Sequence, residues 1–251
     1  MNILGHKIIG TGEIHILVSH ELMGDHTNFD PILPYIDTTN FTYIFIDHRG
    51  YGLSKNINGE YTCEEAANDI KNLITELKLT EVNLLAHSMS TMIAQKVALL
   101  DKRIKQLILI TPISAAGIKM KPESQLKLLE NMKKNENFIE QVVESASKRY
   151  NQTWKDYRIK MAYEASTLEA RTGYMSMYLT TDFINEVKNI NIPIKIMVGH
   201  YDLPAFHKNN VKKQFEKYYN DFEIIECMEA GHYPMIECPV YFASEIEKFC
   251  L

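Results

Sequence analysis

Two patterns of apolar and polar positions take turns along this 251-residue chain. Short, nearly continuous apolar runs are typical of strands buried on both faces of a parallel sheet. Longer segments with apolar residues three or four positions apart are typical of amphipathic helices. The predicted strands are 6–9, 14–18, 43–46, 82–85, 107–110, 194–198 and 222–225. Helical segments lie between most of them, at 63–77, 91–100 and 206–219, and the last follows at 240–249. This order predicts an α/β fold with a mostly parallel central sheet flanked by helices.

One interval breaks the alternation. Between residues 113 and 191 the pattern predicts four helices, at 123–131, 137–148, 156–165 and 168–179, and no strand. We expect this insertion to form a helical cap over the carboxyl ends of the strands, where ligands bind in open α/β sheets. The predicted organisation is therefore a core made of residues 1–112 and 192–251, with a cap at 113–191.

Composition excludes several classes of partner. The net charge is −5 and no block of Lys and Arg stands alone, so nucleic acid is a poor candidate. No apolar run approaches the length of a membrane span, and the first ten residues are too short and too polar for a secretory signal. The four cysteines form no C-x-x-C pair, which favours reduced thiols in a cytoplasmic protein. A small molecule is the expected partner, and the pattern does not indicate an oligomeric state.

A single serine stands between a predicted strand and a predicted helix, in Ala86-His87-Ser88-Met89-Ser90. Small residues two positions before and after it let the strand and the helix approach a strained turn. Such a turn places the Ser88 hydroxyl at the carboxyl edge of the sheet. It also aims the Met89 backbone N–H, at the helix N-terminus, toward negative charge that forms there.

Two further residues follow strands in the same way. Asp202 comes directly after the strand at 194–198, in Gly199-His200-Tyr201-Asp202. His232 lies between the last strand and the last helix, in Gly231-His232-Tyr233. Because the carboxyl ends of parallel strands meet at one edge of a sheet, we expect Ser88, Asp202 and His232 to converge there. His232 would then be the base for Ser88, and Asp202 would orient its imidazole.

These motifs resemble those of the α/β-hydrolase family. The serine turn is similar to the nucleophile elbow G-x-S-x-G, with Ala86 and Ser90 in the glycine positions, and the order Ser, Asp, His is the family's order. The stretch from Asp47 to Ser54 resembles the family's D-x-R-G-x-G-x-S segment, for which we expect a structural role. The resemblance is to the lidded small-molecule group of carboxylesterases, enol-lactonases and cofactor-free haloperoxidase-like proteins. It implies an α/β-hydrolase fold with the cap inserted after the sixth strand.

The loop after the second strand, Ser19-His20-Glu21-Leu22-Met23-Gly24, resembles the family's H-G-x-x-G segment. The resemblance implies an oxyanion hole made of the Leu22 and Met89 backbone N–H groups. Glu21 replaces the first glycine and brings a carboxylate close to that hole. A carboxylate pointing inward would oppose the oxyanion, so we expect it to turn away into a hydrogen bond or ion pair, with Arg49 as a candidate partner.

The resemblance implies a serine hydrolase that cleaves a small-molecule carboxylic ester through an acyl-enzyme on Ser88, with no metal or organic cofactor. Candidate substrate-pocket residues are His20, Glu21, Met161, Tyr174 and Tyr178. Two alternatives use the same triad: a biosynthetic thioesterase or cyclase, and a carbon–carbon bond hydrolase. A third alternative is a receptor-like protein that binds a ligand without hydrolysing it, because fold alone does not decide function.

Overall fold

In the part of the chain that the structure describes, seven strands form a single sheet. The structure is a computed structural model, and it describes residues 3–134, 137–146 and 149–251. The strands are β1 His6–Gly10, β2 Ile14–Ser19, β3 Phe41–Ile46, β4 Val82–His87, β5 Ile104–Ile110, β6 Ile194–Gly199 and β7 Phe222–Cys227. Their spatial order is β1-β3-β2-β4-β5-β6-β7. Strand β1 runs antiparallel to β3 and every other neighbouring pair is parallel. The predicted α/β class with a mostly parallel sheet is confirmed.

The helices cover both faces of this sheet. Those described are α1 Cys63–Glu76, α2 Met89–Leu100, α3 Pro122–Lys134, α4 Phe138–Ala146, α5 Gln152–Ala165, α6 Leu168–Thr180, α7 Lys208–Phe215, α8 Pro234–Glu237 and α9 Pro239–Cys250. Each predicted helix corresponds to one of them, with shifted ends. The end of the helix predicted at 137–148 falls on residues 147 and 148, which lie outside the described residues.

The central strands are buried on both faces, as their unbroken apolar runs predict. Along β5, Leu107 and Leu109 pack into the core on one side of the sheet, which also contains residues of α1, α2 and α6. Ile108 and Ile110 pack into the core on the other side, with residues of α9. This alternation follows from the two-residue repeat of a strand.

The connection from β2 to β3 is a 3₁₀ segment, His26–Tyr35, which the sequence pattern did not predict. It contains Pro31 and Pro34. Proline has no backbone N–H and disrupts a regular α-helix in its interior, so the segment forms the tighter helix instead. The segment packs against α8 and α9.

Four helices, α3–α6, separate β5 from β6, and we refer to them as the cap. Five strands precede the cap in the described chain, so the prediction that it follows the sixth strand is wrong by one. The cap touches the core at an isolated bridge between Tyr51 and Ser166 and through the side chain of Arg158 on α5. Cap and core residues together line one cavity, which lies beside Ser88. The division into a core and a cap with boundaries at 113 and 191 stays a prediction.

Candidate active site

Ser88 occupies a strained turn between β4 and α2. Its backbone has φ 52° and ψ −114°, in a region that residues with a side chain rarely adopt. The turn is held by the Ser88 N–H, which donates to the Ile110 carbonyl at 2.9 Å, and by the Thr91 N–H, which donates to the Ser88 carbonyl at 3.0 Å. The serine is 9% exposed. This is the geometry that presents a side-chain oxygen at the top of a strand.

Asp202 and His232 form a buried pair. The His232 Nδ1 lies 3.0 and 2.9 Å from the two carboxylate oxygens of Asp202. The backbone loops that carry them approach closely, since the Tyr201 N–H donates to the Ala230 carbonyl at 3.0 Å. Such a carboxylate fixes the imidazole with Nδ1 protonated, which leaves Nε2 free to accept a proton.

The charge on Asp202 also tunes His232. Burial lowers the pKa of His232, but the charge of Asp202 and its hydrogen bond outweigh burial, and the pKa is raised above its ordinary value. His87 supports the same loop from below, because its Nε2 donates to the His232 carbonyl at 2.7 Å. Burial holds the pKa of His87 well below its ordinary value, so its ring is neutral.

Ser88 and His232 line one cavity of about 200 Å³ beneath the cap. Most of the other lining side chains are apolar, and they come from both core and cap. They include Leu22, Ile113, Ile118, Leu128, Phe138, Val142, Met175, Leu203 and Phe206. Asp202 lies behind His232 and does not line the cavity. The surroundings of Ser88 in this cavity are therefore largely apolar.

The loop after β2 supplies Leu22 to the same cavity, and the Met89 N–H opens α2 beside Ser88. Within the described residues, neither the Leu22 N–H nor the Met89 N–H donates a hydrogen bond. Both are therefore available to a ligand, as the predicted oxyanion hole requires. Their role as oxyanion donors stays a prediction.

The Glu21 side chain folds back over its own loop. Its Oε2 accepts a hydrogen bond from the Met23 N–H, and its Oε1 accepts one from Asn28 Nδ2 at 2.9 Å. Oε1 also lies 3.1 Å from Nη2 of Arg158, which reaches down from the cap. The expected ion pair is present.

The prediction that Arg49 pairs with Glu21 is wrong. Arg49 donates to Asp69 at 2.6 and 2.8 Å and lies 3.2 Å from Glu65, both on α1. These two carboxylates neutralise its charge, and it braces the segment after β3 against α1 instead of meeting Glu21.

Of the five predicted pocket residues, Glu21 and Tyr178 line the cavity. His20 lies beneath the loop, with Nδ1 donating to the Glu21 carbonyl at 2.8 Å and Nε2 accepting from the His48 N–H at 3.1 Å. Tyr174 is fully buried between His48 and Tyr51. Met161 lines a separate surface hollow. For these last three the structure places the side chain outside the cavity. Helix periodicity did not show which neighbours cover Met161 and Tyr174, and His20 turns inward to hydrogen-bond the backbone of its own loop.

A family model described as alpha/beta hydrolase fold matches residues 14–157, more than half of the chain. The chain belongs to the α/β-hydrolase fold family. No curated protein matches it significantly. Within the described residues, no helix has the length and apolar character that a membrane span requires.

Several solved structures superimpose on nearly the whole chain. An esterase from Exiguobacterium antarcticum is 20% identical, with a TM-score of 0.85, covering 98% of this chain and 94% of that one. An enol-lactonase from Burkholderia xenovorans LB400 is 19% identical, with a TM-score of 0.81 and coverages of 98% and 95%. A bromoperoxidase from Bacillus anthracis is 17% identical, with a TM-score of 0.84 and coverages of 97% and 94%. At these identities the likeness shows the fold.

The sequence analysis did not identify two residues of this site, Arg158 and Asn28. Both are fully buried, and the Arg158 Nη1 donates to Asn28 Oδ1 at 2.6 Å. The available signal was the spacing of Arg158 from Ala162 and Ala165, which puts the arginine on the buried face of α5. A charge at such a position implies a buried partner.

One cluster in the described chain brings together three groups of the metal-ligand type, Asp25, His26 and Asp47. Their hydrogen bonds account for them without an ion. Asp47 accepts from the His26 N–H and Nδ1 at 2.8 and 2.7 Å and from the Leu53 N–H at 2.7 Å. Asp25 caps the 3₁₀ segment by accepting from the Thr27 N–H at 2.9 Å. The cluster joins the loop after β2 to the loop after β3.

Proposed function

We propose that this α/β-hydrolase is a serine hydrolase that cleaves small carboxylic esters through Ser88, His232 and Asp202. The observation that carries the proposal is the pairing of a serine in a strained positive-φ turn with a histidine held by a buried carboxylate at 2.9 Å, both lining one cavity. In this arrangement Nε2 of His232 takes the Ser88 proton as the hydroxyl attacks the acyl carbon.

The resulting tetrahedral oxyanion would accept hydrogen bonds from the Leu22 and Met89 N–H groups. Removal of one such donor typically costs about two to three orders of magnitude in rate. His232 then gives its proton to the leaving alcohol, and an acyl-enzyme forms on Ser88. Water, activated by the same histidine, releases the acid.

The cavity favours a small or medium apolar acyl group. Its volume is about 200 Å³, and its walls include Phe138, Val142, Met175 and Ile118. The carboxylate of Glu21 at its margin is already paired. A neutral acyl chain therefore loses less on leaving water here than a charged one would.

A wider groove next to the cavity favours a second candidate on the same triad, a thioesterase. The groove has a volume of about 590 Å³ and shares Ile113 and Phe206 with the cavity. Lys213 and Lys217 line it, as does Lys119, which is paired with Asp182 at 2.7 Å, and no acidic residue appears among its described lining residues. Lysines beside an opening favour a leaving group that carries phosphate, such as coenzyme A. The test compares an acyl-coenzyme A with the N-acetylcysteamine thioester of the same acyl group. Faster turnover of the coenzyme A thioester, with a rate difference that disappears at high salt, would support this candidate.

The proposal is tested with a fluorophosphonate probe and mass spectrometry of the labelled peptide. We expect labelling at Ser88 that disappears in Ser88→Ala and persists in Ser145→Ala. Ser145 is the matched control because it lies near the cavity rim in α4, is exposed, and its hydroxyl donates to a backbone carbonyl, with no other bond to the described residues. A panel of short-chain aryl esters and lactones then measures turnover.

A folded protein that neither labels nor hydrolyses any member of the panel would overturn the proposal. The receptor-like alternative would then be supported by ligand binding that survives the Ser88→Ala change.

A further inference from the structure

We propose that Arg158 is a positioning residue that neutralises Glu21 and holds the oxyanion loop beneath the cap. The inference rests on the proposed function, because the loop matters only if an oxyanion forms at Ser88. It assigns to α5 of the cap a role in the reaction itself and not only in shaping the pocket.

Glu21 and Arg158 form a closed polar network with Asn28. Glu21 is 2% exposed, and Arg158 and Asn28 are fully buried. The Arg158 Nη2 lies 3.1 Å from Glu21, its Nη1 donates to Asn28 at 2.6 Å, and the Asn28 amide donates to Glu21 at 2.9 Å. Each side chain thus contacts the other two. At such depth a charge is costly unless it is paired and hydrogen-bonded in this way.

The network is attached to the backbone that precedes and follows Leu22. Glu21 is the residue before Leu22, and its carboxylate accepts from the N–H of Met23, the residue after it. The Arg158 guanidinium also donates to the Met23 carbonyl at 3.5 Å. The Glu21 side chain would oppose an oxyanion if it pointed inward. In its observed position it instead helps to fix the direction of the Leu22 N–H.

Arg158 also reaches the loop that carries the base. Its guanidinium lies over the Tyr233 ring, 4.0 Å from the ring centre, and Tyr233 follows His232 directly. One cap side chain thus touches the oxyanion loop and the histidine loop at once. Because these loops come from opposite ends of the chain, their common contact sets how they face each other across Ser88.

Electrostatics gives the expected size of the effect. Without its counter-ion, the Glu21 carboxylate still accepts hydrogen bonds from the Met23 N–H and from Asn28, and it repels the negative charge that develops at the oxyanion. Because Glu21 is buried, solvent screens little of this repulsion. We expect the Arg158→Met change to slow the reaction by about 10²-fold, comparable to the loss of one oxyanion donor. The decrease should appear in kcat and not in KM, because the repulsion exists only in the transition state.

The experiment measures the rate at which a fluorophosphonate labels Ser88, since the phosphonyl oxygen of the adduct occupies the place of the oxyanion. Four proteins are compared: the unaltered chain, Arg158→Met, Glu21→Gln with Arg158→Met, and Arg171→Met. We expect slow labelling for Arg158→Met and recovery to within about tenfold of the unaltered rate when Glu21→Gln is added, because the repelling charge is then gone.

Arg171→Met is the matched control. Arg171 is a second buried cap arginine, 5% exposed, and its Nη1 donates to Ser166 and to the Ala162 carbonyl, away from the oxyanion loop. The Arg171→Met variant shows how the loss of a different buried cap arginine changes the rate of Ser88 labelling. A purely structural role for Arg158 would slow both variants alike and would not be relieved by Glu21→Gln.

The outcomes separate the two proposals. Absence of labelling in the unaltered chain would overturn the proposed function. Labelling of the unaltered chain, with Arg158→Met equally fast or not relieved by Glu21→Gln, would overturn only the positioning role. If Arg158→Met does not fold, Arg158→Lys takes its place, because it keeps the charge but cannot bridge Glu21 and Asn28 together. We expect it to label about tenfold more slowly, and an unchanged rate would again overturn the inference.

Discussion

The Gly199→Ala change, which adds a single methyl group, should move Asp202 and His232 apart. Gly199 ends β6, three residues before Asp202. An alanine Cβ there would lie 1.9 Å from the Gly231 carbonyl oxygen and 2.6 Å from its carbonyl carbon. Both obstructing atoms are backbone, so no side-chain rotation relieves the clash. Ordinary contact begins near 3.4 Å, and the two loops must therefore move apart by about 1.5 Å.

The structure sets the size of the effect. The His232 Nδ1 lies 2.9 Å from Asp202, and a hydrogen bond does not survive an added displacement of this size. Misplacement by about 1 Å costs about 10²-fold in rate, and full loss of the orienting carboxylate costs about 10⁴-fold. We expect kcat for Gly199→Ala to fall within that range. Overpacking costs about 1–3 kcal/mol of stability, or roughly 2–12 °C in Tm for a domain of this size.

The assay is aryl-ester hydrolysis together with the rate of fluorophosphonate labelling, each measured well below the Tm determined by circular dichroism. Gly231→Ala is the control, because its Cβ would meet nothing closer than 3.5 Å and its backbone is not in the left-handed region. If Gly199→Ala is folded and keeps full activity, the close approach of these loops does not set the geometry of the pair, and the reasoning is refuted.

Three further predictions concern pH and the loop after β3. The acid limb of kcat/KM should follow a single ionisation above pH 6.5, since Asp202 raises the pKa of His232, and in Asp202→Asn that limb should move to lower pH. Gly52→Ala should lower Tm, because Gly52 has φ +38° and a Cβ would lie 2.2 Å from an Asp47 oxygen, whereas a Tm equal to the parent's would contradict this. The pKa of His26 is raised by its hydrogen bond to Asp47, so the stability lost in His26→Gln should be largest below pH 6.5 and vanish as the pH rises through the folded pKa. Chemical denaturation at several pH values checks the last prediction, and a difference that is constant with pH would count against it.

The strands and the three candidate catalytic residues could be predicted because their signals are local. Each central strand is a continuous apolar run, since both faces of the sheet are covered. Ser88, Asp202 and His232 each follow a strand, so chain order alone brings them to one edge. The strained turn at Ser88 was also predictable, because the small residues Ala86 and Ser90 stand two positions before and after it.

The 3₁₀ segment after β2 was not predicted, because its backbone is decided by its environment. Two prolines remove N–H donors from it, and it is fixed by an Asp25 cap and by packing against α8 and α9. Asn28, which completes the Glu21 network, lies on this segment. A residue whose role depends on an irregular backbone leaves no periodic signal.

The partner of Glu21 shows where sequence reasoning stops. Sequence identified the carboxylate as an anomaly in a loop that commonly has glycine, and electrostatics required a counter-ion for it. Several cations were available, and Arg49 is the nearest arginine along the chain. Arg49 was already neutralised by Asp69 and Glu65, while Arg158, 137 positions from Glu21, arrived through the packing of the cap. The need for a counter-ion is a local property and was predictable, but its identity is a property of the folded cap. A substitution that departs from a family's pattern at a reactive site therefore calls for a search of the elements packed above it, and not only of the adjacent chain.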